Sequence, residues 1–168
     1  MHSLYIFTLI STLFAVGVNA VMPPRFPSKP IPGDSPIEKC ELTSPQLLDI
    51  HQINLSPNPP MRDSNLTVEA TGWLASQIDK GAYVDVEVRL GYIKLLTQRF
   101  DLCDLLDQQS SHGEQDDMQC PVSQGEHTLH TTVKIPREVP MGRYTFVARA
   151  YSQEDVLLTC LTGDFMFY

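Results

Sequence analysis

The sequence predicts an all-β fold, an antiparallel β-sandwich of about seven strands. Three observations carry this. Apolar residues alternate with period 2 along most of the chain, no amphipathic helix of ten or more residues can be drawn, and four cysteines form an even set with no C-x-x-C pair. Of 168 residues, 42% are hydrophobic and 19% charged, which is too apolar for a disordered chain and too short for more than one or two domains. A formal net charge of −8 argues against nucleic acid as a partner, because phosphate contacts need clustered Lys and Arg. A polybasic membrane anchor is excluded on the same ground.

Residues 1–20 contain no Asp, Glu, Lys or Arg and run apolar from Leu4 to Val18. Val18-Asn19-Ala20 fits a small-x-small cleavage pattern, so 1–20 reads as a signal peptide and the mature chain begins near Val21. The stretch is diluted by Ser11, Thr12 and Gly17, which disfavours an uncleaved span. Residues 21–36 hold 6 of the 13 prolines. Such a segment is expected to hold neither a ladder nor a helix, and reads as an extended leader, a removable pro-segment or a plain linker. The folded domain is then 37–168.

The strands follow in order. Leu66, Val68, Ala70, Gly72 and Leu74 alternate with Thr67, Glu69, Thr71 and Trp73. After the Asp79-Lys80-Gly81 turn, Ala82, Val84, Val86, Val88 and Leu90 alternate with Tyr83, Asp85, Glu87 and Arg89. Leu129, Thr131, Val133 and Ile135 share one face; Tyr144, Phe146, Ala148 and Ala150 share another. Val156, Leu158 and Cys160 lead to an aromatic C-terminus, and short candidates lie at 50–55 and 92–96. Between Ile135 and Tyr144, Pro140 and Gly142 suit the second and fourth positions of a type I turn. Val139 and Met141 make that connection unusually apolar.

Four cysteines in a secreted chain allow three connectivities, and arithmetic alone does not choose. Cys40–Cys160 with Cys103–Cys120 is the preferred set: it ties the domain's start to its last strand and closes an acidic loop. Asn65-Leu66-Thr67 is a glycosylation sequon. Asn54-Leu55-Ser56 also matches in form, but Pro57 follows it.

Enzyme templates fail: G-x-S-x-G, H-E-x-x-H, the P-loop and G-x-G-x-x-G are all missing. His127 and His130 are three apart on a strand and point to opposite faces, so they do not share a metal. His2 leaves with the signal peptide, His51 forms no motif, and His112 sits in a polar loop. Asp101, Asp104, Asp107, Glu114, Asp116 and Asp117 lack EF-hand spacing, so a solvated acidic loop pinned by a disulfide is favoured over a calcium site. No enzyme activity, metal or cofactor is expected. What remains is apolar surface: small branched residues such as Ala82, Val84, Val86 and Val88 fit either a packed core or a cavity wall, and period 2 does not distinguish them.

The segments Ile31-Pro32-Gly33-Asp34-Ser35-Pro36-Ile37 and Leu55-Ser56-Pro57-Asn58-Pro59-Pro60 break the tie. With them go Gly81-Ala82-Tyr83-Val84-Asp85-Val86, Gly91-Tyr92-Ile93-Lys94-Leu95-Leu96, Phe100-Asp101-Leu102-Cys103, Cys120-Pro121-Val122 and Ile135 through Tyr144. Together these resemble, in order, the ML lipid-recognition domain family, and within it the fungal phosphatidylglycerol/phosphatidylinositol transfer proteins. The resemblance implies an immunoglobulin-like sandwich splayed around a lipid cavity, with Cys40–Cys160 and Cys103–Cys120 pairing. It implies a monomeric carrier that moves phosphatidylinositol and phosphatidylglycerol between membranes through transient membrane contact. The runner-up ligand is a sterol, handed to a membrane sterol transporter in the vacuole lumen. The implied cavity and entrance residues are Val84, Val86, Val88, Leu95, Leu96, Phe100, Pro121, Val122, Val133, Ile135, Pro136, Val139, Tyr144 and Phe146. The signal peptide implies the secretory pathway, with vacuole lumen and secretion both open. From another class, the competing reading is a secreted sandwich with a filled core that binds a protein partner.

Overall fold

Alternating sequence becomes alternating faces in nine strands, here in a computed structural model that describes residues 27–110 and 118–168. In chain order these are β1 (Ser28–Pro30), β2 (Ile37–Cys40), β3 (Leu48–Ser56), β4 (Ser64–Leu74), β5 (Tyr83–Leu90), β6 (Ile93–Asp101), β7 (Gly125–Ile135), β8 (Gly142–Tyr151) and β9 (Leu157–Phe167), with one helix, α1 (Leu102–Ser110), after β6. The larger sheet has the order β1-β2-β9-β8-β5-β6 and the smaller β3-β4-β7, every pairing antiparallel. The expected signal peptide, residues 21–26 of the proline-rich segment, His112, Glu114, Asp116 and Asp117 lie outside the described residues. Among the described residues, no helix is long and apolar enough to cross a membrane.

Three local expectations are corrected. The proline-rich segment does hold a ladder: Ser28, Lys29 and Pro30 pair with Cys40, Lys39 and Glu38. Proline lacks a donor but keeps its carbonyl, and β1 is an edge strand, where a missing N–H is tolerated. Beyond it, Pro32 and Asp34 accept hydrogen bonds from the Ile53 and Leu55 N–H groups, both at 2.9 Å, and Ile31 is buried between them and the sheet. Gly33 makes this close approach possible, since its φ is +118° and a Cβ there would run into the Ile53 carbonyl. Secondly, the start of the acidic loop is the helix α1. Asp101 caps it by accepting the Asp104 N–H at 3.0 Å, so two of the carboxylates serve a helix N-terminus. Thirdly, the turn in the β7–β8 connection closes at Pro136–Val139, where Val139 N–H donates to the Pro136 carbonyl at 3.5 Å; Gly142 instead opens β8 with φ +139°.

The core is not one continuous layer. At one end, Leu74, Ile78, Ala82, Val122 and Leu158 form a buried cluster, with Leu102 and Leu106 of α1 packed on it. Along one side, Ile31, Ile53 and Leu55 are buried with Leu66, Val68, Ala70, Leu161 and Phe165 around them. Here β3 approaches β9 and the two sheets meet. Both expected disulfides form. Cys40–Cys160 lies with Val147 on the outer face of the larger sheet, and Cys103–Cys120 fastens α1 to the end cluster.

Candidate functional site

Cross-strand partners in an antiparallel pair share a face, so the register fixes which residues look toward the smaller sheet. Leu161 and Phe165 pack against β3 and β4; Ala148 pairs with Leu161 and Tyr144 with Phe165. Val84, Val86 and Val88 pair with Ala150, Ala148 and Phe146, and on the other side with Phe100, Gln98 and Leu96. The inner wall of β5, β6 and β8 is therefore Val84, Val86, Val88, Leu90, Leu96, Gln98, Phe100, Tyr144, Phe146, Ala148 and Ala150. It carries no carboxylate or cationic group.

These inward residues are not sealed. Val84, Val86, Val88, Leu96, Phe100 and Phe146 are only half-buried, and none of them belongs to a buried cluster. On the facing sheet, Val133 remains 41% exposed although its partner Leu66 packs inward. A filled sandwich places its layers about 10 Å apart with interdigitated side chains, which would bury all of these. Here the layers meet along β3 and β9, and the half-exposed residues lie toward β6 and β7, the end strands of the two sheets.

The expected entrance residues fall into two groups. Leu96, Ile135, Pro136, Val139 and Tyr144 gather at the end bearing the β5–β6 and β7–β8 connections, and Leu95 is the unpaired residue of a bulge there, 49% exposed. Pro121 and Val122 lie at the opposite end of β7, separated from Ile135 by that strand's 11 residues, a length of roughly 35 Å. Val122 is 4% exposed and bridges Ile78; it is part of the end core, not of a mouth. Tyr144 is buried too, its hydroxyl donating to the Pro140 carbonyl at 3.0 Å. It props the β7–β8 loop, with the Phe167 ring edge-on at 5.3 Å.

Around that loop the surface is apolar. Tyr92, Ile93, Met61, Met141 and Tyr168 are among the most exposed large hydrophobic residues of the described chain. Arg62 binds this end together, donating to the Tyr168 and Val139 carbonyls at 3.1 and 3.4 Å. Met61, Tyr92 and Tyr168 belong to separate segments of the sequence, which only the fold brings to one end of the molecule.

The charged pairs lie off the inner wall of β5, β6 and β8. Arg99 grips Asp85 through two bonds of 2.7 and 2.9 Å and lies 3.8 Å from the Tyr83 ring centroid, while Tyr83 stacks on Tyr151. The Arg99 guanidinium holds the Asp85 carboxyl below its ordinary value, as Arg89 and Lys94 do for Glu87 and Lys39 does for Asp49. Hydrogen bonding to Asp155 raises the Tyr83 hydroxyl. Among the described residues, no group of three His, Cys, Asp or Glu could hold a metal ion. Asn65 stands exposed on the outer face of β4, whereas the Asn54 side-chain carbonyl accepts the Asp34 N–H at 2.9 Å.

Comparison with known proteins places this geometry. The ML domain family matches residues 34–167. A phosphatidylglycerol/phosphatidylinositol transfer protein of Kluyveromyces lactis is 48% identical over 90% of this chain and 84% of its own length. Its namesake in Eremothecium gossypii is 53% identical over 83% of the chain, which spans 63% of that relative; the Candida albicans protein of that name is 47% identical over 83% of this chain and 69% of its own. Among solved structures, chicken MD-1 complexed with lipid IVa superposes with a TM-score of 0.54 at 14% identity, covering 84% of this chain and 99% of that one. A Niemann-Pick type C2 protein from the Japanese carpenter ant gives 0.51, also at 14%, covering 76% and 98%. These two share the fold.

Proposed function

Since the chain belongs to the ML domain family, we propose that it is a lipid carrier: it takes a phospholipid from one membrane, shields its chains between the two sheets and releases it at another. Phosphatidylglycerol and phosphatidylinositol are the ligands named for its relatives. The observation that carries the reading is the half-exposure of Val84, Val86, Val88, Phe146 and Val133, inward-facing residues with no opposing layer pressed onto them.

The physics is a transfer between solvents. Each buried methylene is worth about 0.8 kcal/mol, so a sixteen-carbon chain resists leaving the bilayer by roughly 12 kcal/mol. A slot walled by valine, alanine and phenylalanine gives the chain an apolar environment outside the membrane, which lowers that barrier. Ala148 and Ala150 leave room where larger side chains would meet the smaller sheet. The tip residues Tyr92, Ile93, Met61 and Met141 would rest in the bilayer surface while Leu95, Val139 and Val133 flank the chain's path. No bond is made or broken, and the residues act by solvation alone.

Two disulfides fit an oxidising compartment and the secretory pathway. We place the protein in the vacuole lumen or outside the cell, as a monomer with an N-linked glycan at Asn65. Native mass spectrometry of gently purified protein, followed by identification of the extracted lipid and a vesicle-to-vesicle transfer assay, tests the reading. A retained phospholipid that the protein moves between vesicles is the expected result. A retained sterol would shift the ligand class, and an empty protein that transfers nothing would favour a protein-binding sandwich.

A further inference from the structure

The inner wall contains one polar side chain whose polar end is not tied to the protein. Gln98 pairs with Val86 across β5–β6 and so faces inward, between Leu96 and Phe100, on a wall otherwise made of valine, leucine, alanine and aromatic rings. Tyr144, the other inner residue with a polar atom, is occupied by the Pro140 carbonyl. Among the described residues the Gln98 amide has no hydrogen-bond partner, and it is exposed, because β6 is the free edge of its sheet. Alternation alone would have put an apolar residue here, as at Leu96 and Phe100. An amide on the apolar side of a strand loses water when a ligand fills the slot, and that loss is offset only if the ligand supplies a partner.

We propose that Gln98 is the polar contact for the bound lipid, donating its side-chain NH2 to a lipid oxygen at the seam between the free edges of β6 and β7. The carrier reading is assumed here: the chains occupy the slot and the polar part of the lipid lies at this side seam, not at the Tyr92–Met141 tip. The acceptor is an oxygen of the phosphodiester or ester groups of a phospholipid, or the hydroxyl of a sterol. Only the phosphodiester is charged and only the hydroxyl can also donate, which separates them experimentally.

Binding of phosphatidylinositol, phosphatidylglycerol, a sterol and an uncharged long-chain hydrocarbon probe is measured by competition on wild type, Gln98→Met and Gln98→Glu. Gln98→Met keeps the length and removes the amide. It should weaken the contacted lipid by about three- to tenfold, the value of one hydrogen bond, and leave the hydrocarbon probe and the melting temperature unchanged. Gln98→Glu should weaken the phospholipids further if phosphate oxygens are the acceptor, and should retain the sterol if the hydroxyl is, since a carboxylate accepts from it. Unchanged affinity of both variants for every lipid that wild type binds would overturn the role of Gln98 while leaving the carrier reading intact. Failure of wild type to bind any of them would instead remove the carrier reading itself. Equal weakening of the hydrocarbon probe would mean that Gln98 shapes the wall and makes no polar contact.

Discussion

Phe146 lies over Gly163. The two are cross-strand partners on the inner face, the ring stacks on Phe165 with centroids 5.7 Å apart, and a Cβ on Gly163 would stand 2.7 Å from Phe146 Cε1 and 3.1 Å from the Pro36 carbonyl. The glycine is thus a packing requirement: it lets the aromatic ring lie flat against β9 and keeps it out of the gap.

Gly163→Ala should therefore push the Phe146 ring toward the smaller sheet. Overpacking of this kind costs about 1–3 kcal/mol, read as a lower denaturation midpoint, and the slot becomes narrower. Extracted lipid should shift toward shorter or fewer chains relative to wild type. An unchanged chain-length profile would place the bound lipid away from Phe146.

The tip offers a separable test. Met141 is 66% and Tyr92 71% exposed, so Tyr92→Asp with Met141→Asp should leave stability within about 0.5 kcal/mol, as for surface changes generally. Each aspartate opposes entry into the bilayer surface. Transfer between vesicles should slow several-fold while lipid already carried by the protein stays bound. Slowing without loss of carried lipid assigns the tip to membrane contact; full-rate transfer would move that contact elsewhere.

Removal of the Cys103–Cys120 bridge addresses the other end. Its loop spans a separation of 17 residues, which chain entropy values at about 3 kcal/mol. Cys103 is 4% exposed and the bridge holds α1 on the Leu74–Ile78–Val122 cluster. Cys103→Ser/Cys120→Ser should lower the melting temperature by several degrees, with transfer by the folded fraction retained, since the tip lies at the far end of β7. Equal loss of transfer per folded molecule would place the route for lipid near α1.

Particular residues show what was legible in the sequence. Period 2 identified the inner face of β5 residue by residue, because Val84, Val86 and Val88 repeat without interruption. It stops at β6: the bulge that leaves Leu95 unpaired shifts the parity, so Ile93 shares the face of Leu90, and Gln98, being polar, gives no apolar signal although Leu96 and Phe100 bracket it at the right spacing. The proline-rich segment misled for a different reason. Proline content reports missing donors, while the Pro32 and Asp34 carbonyls that bind β3 are invisible to that argument. Val122 looked like a mouth residue because family position names neighbours in sequence, and 11 residues of extended strand separate it from Ile135. Whether the layers touch depends on how two sheets tilt, which no single strand encodes.

The outer charge network predicts how the protein tolerates acid. Asp85, held by Arg99, has a carboxyl below its ordinary 3.8, and Asp49 and Glu87 are lowered likewise by Lys39 and by Arg89 with Lys94. A depressed folded value means that the unfolded chain binds protons first as pH falls, so these pairs contribute fully above the unfolded values and their contribution disappears as pH drops through the folded ones. The whole loss thus lies below about pH 5. Asp85→Asn should melt below wild type by the same margin at neutral pH and in a mildly acidic buffer, the margin closing only at stronger acidity. Exposed pairs of this kind are weak and salt-screened, so the margin should also shrink in high salt. A gap that closed already near neutral pH would mean that the Asp85–Arg99 pair does not set the acid response.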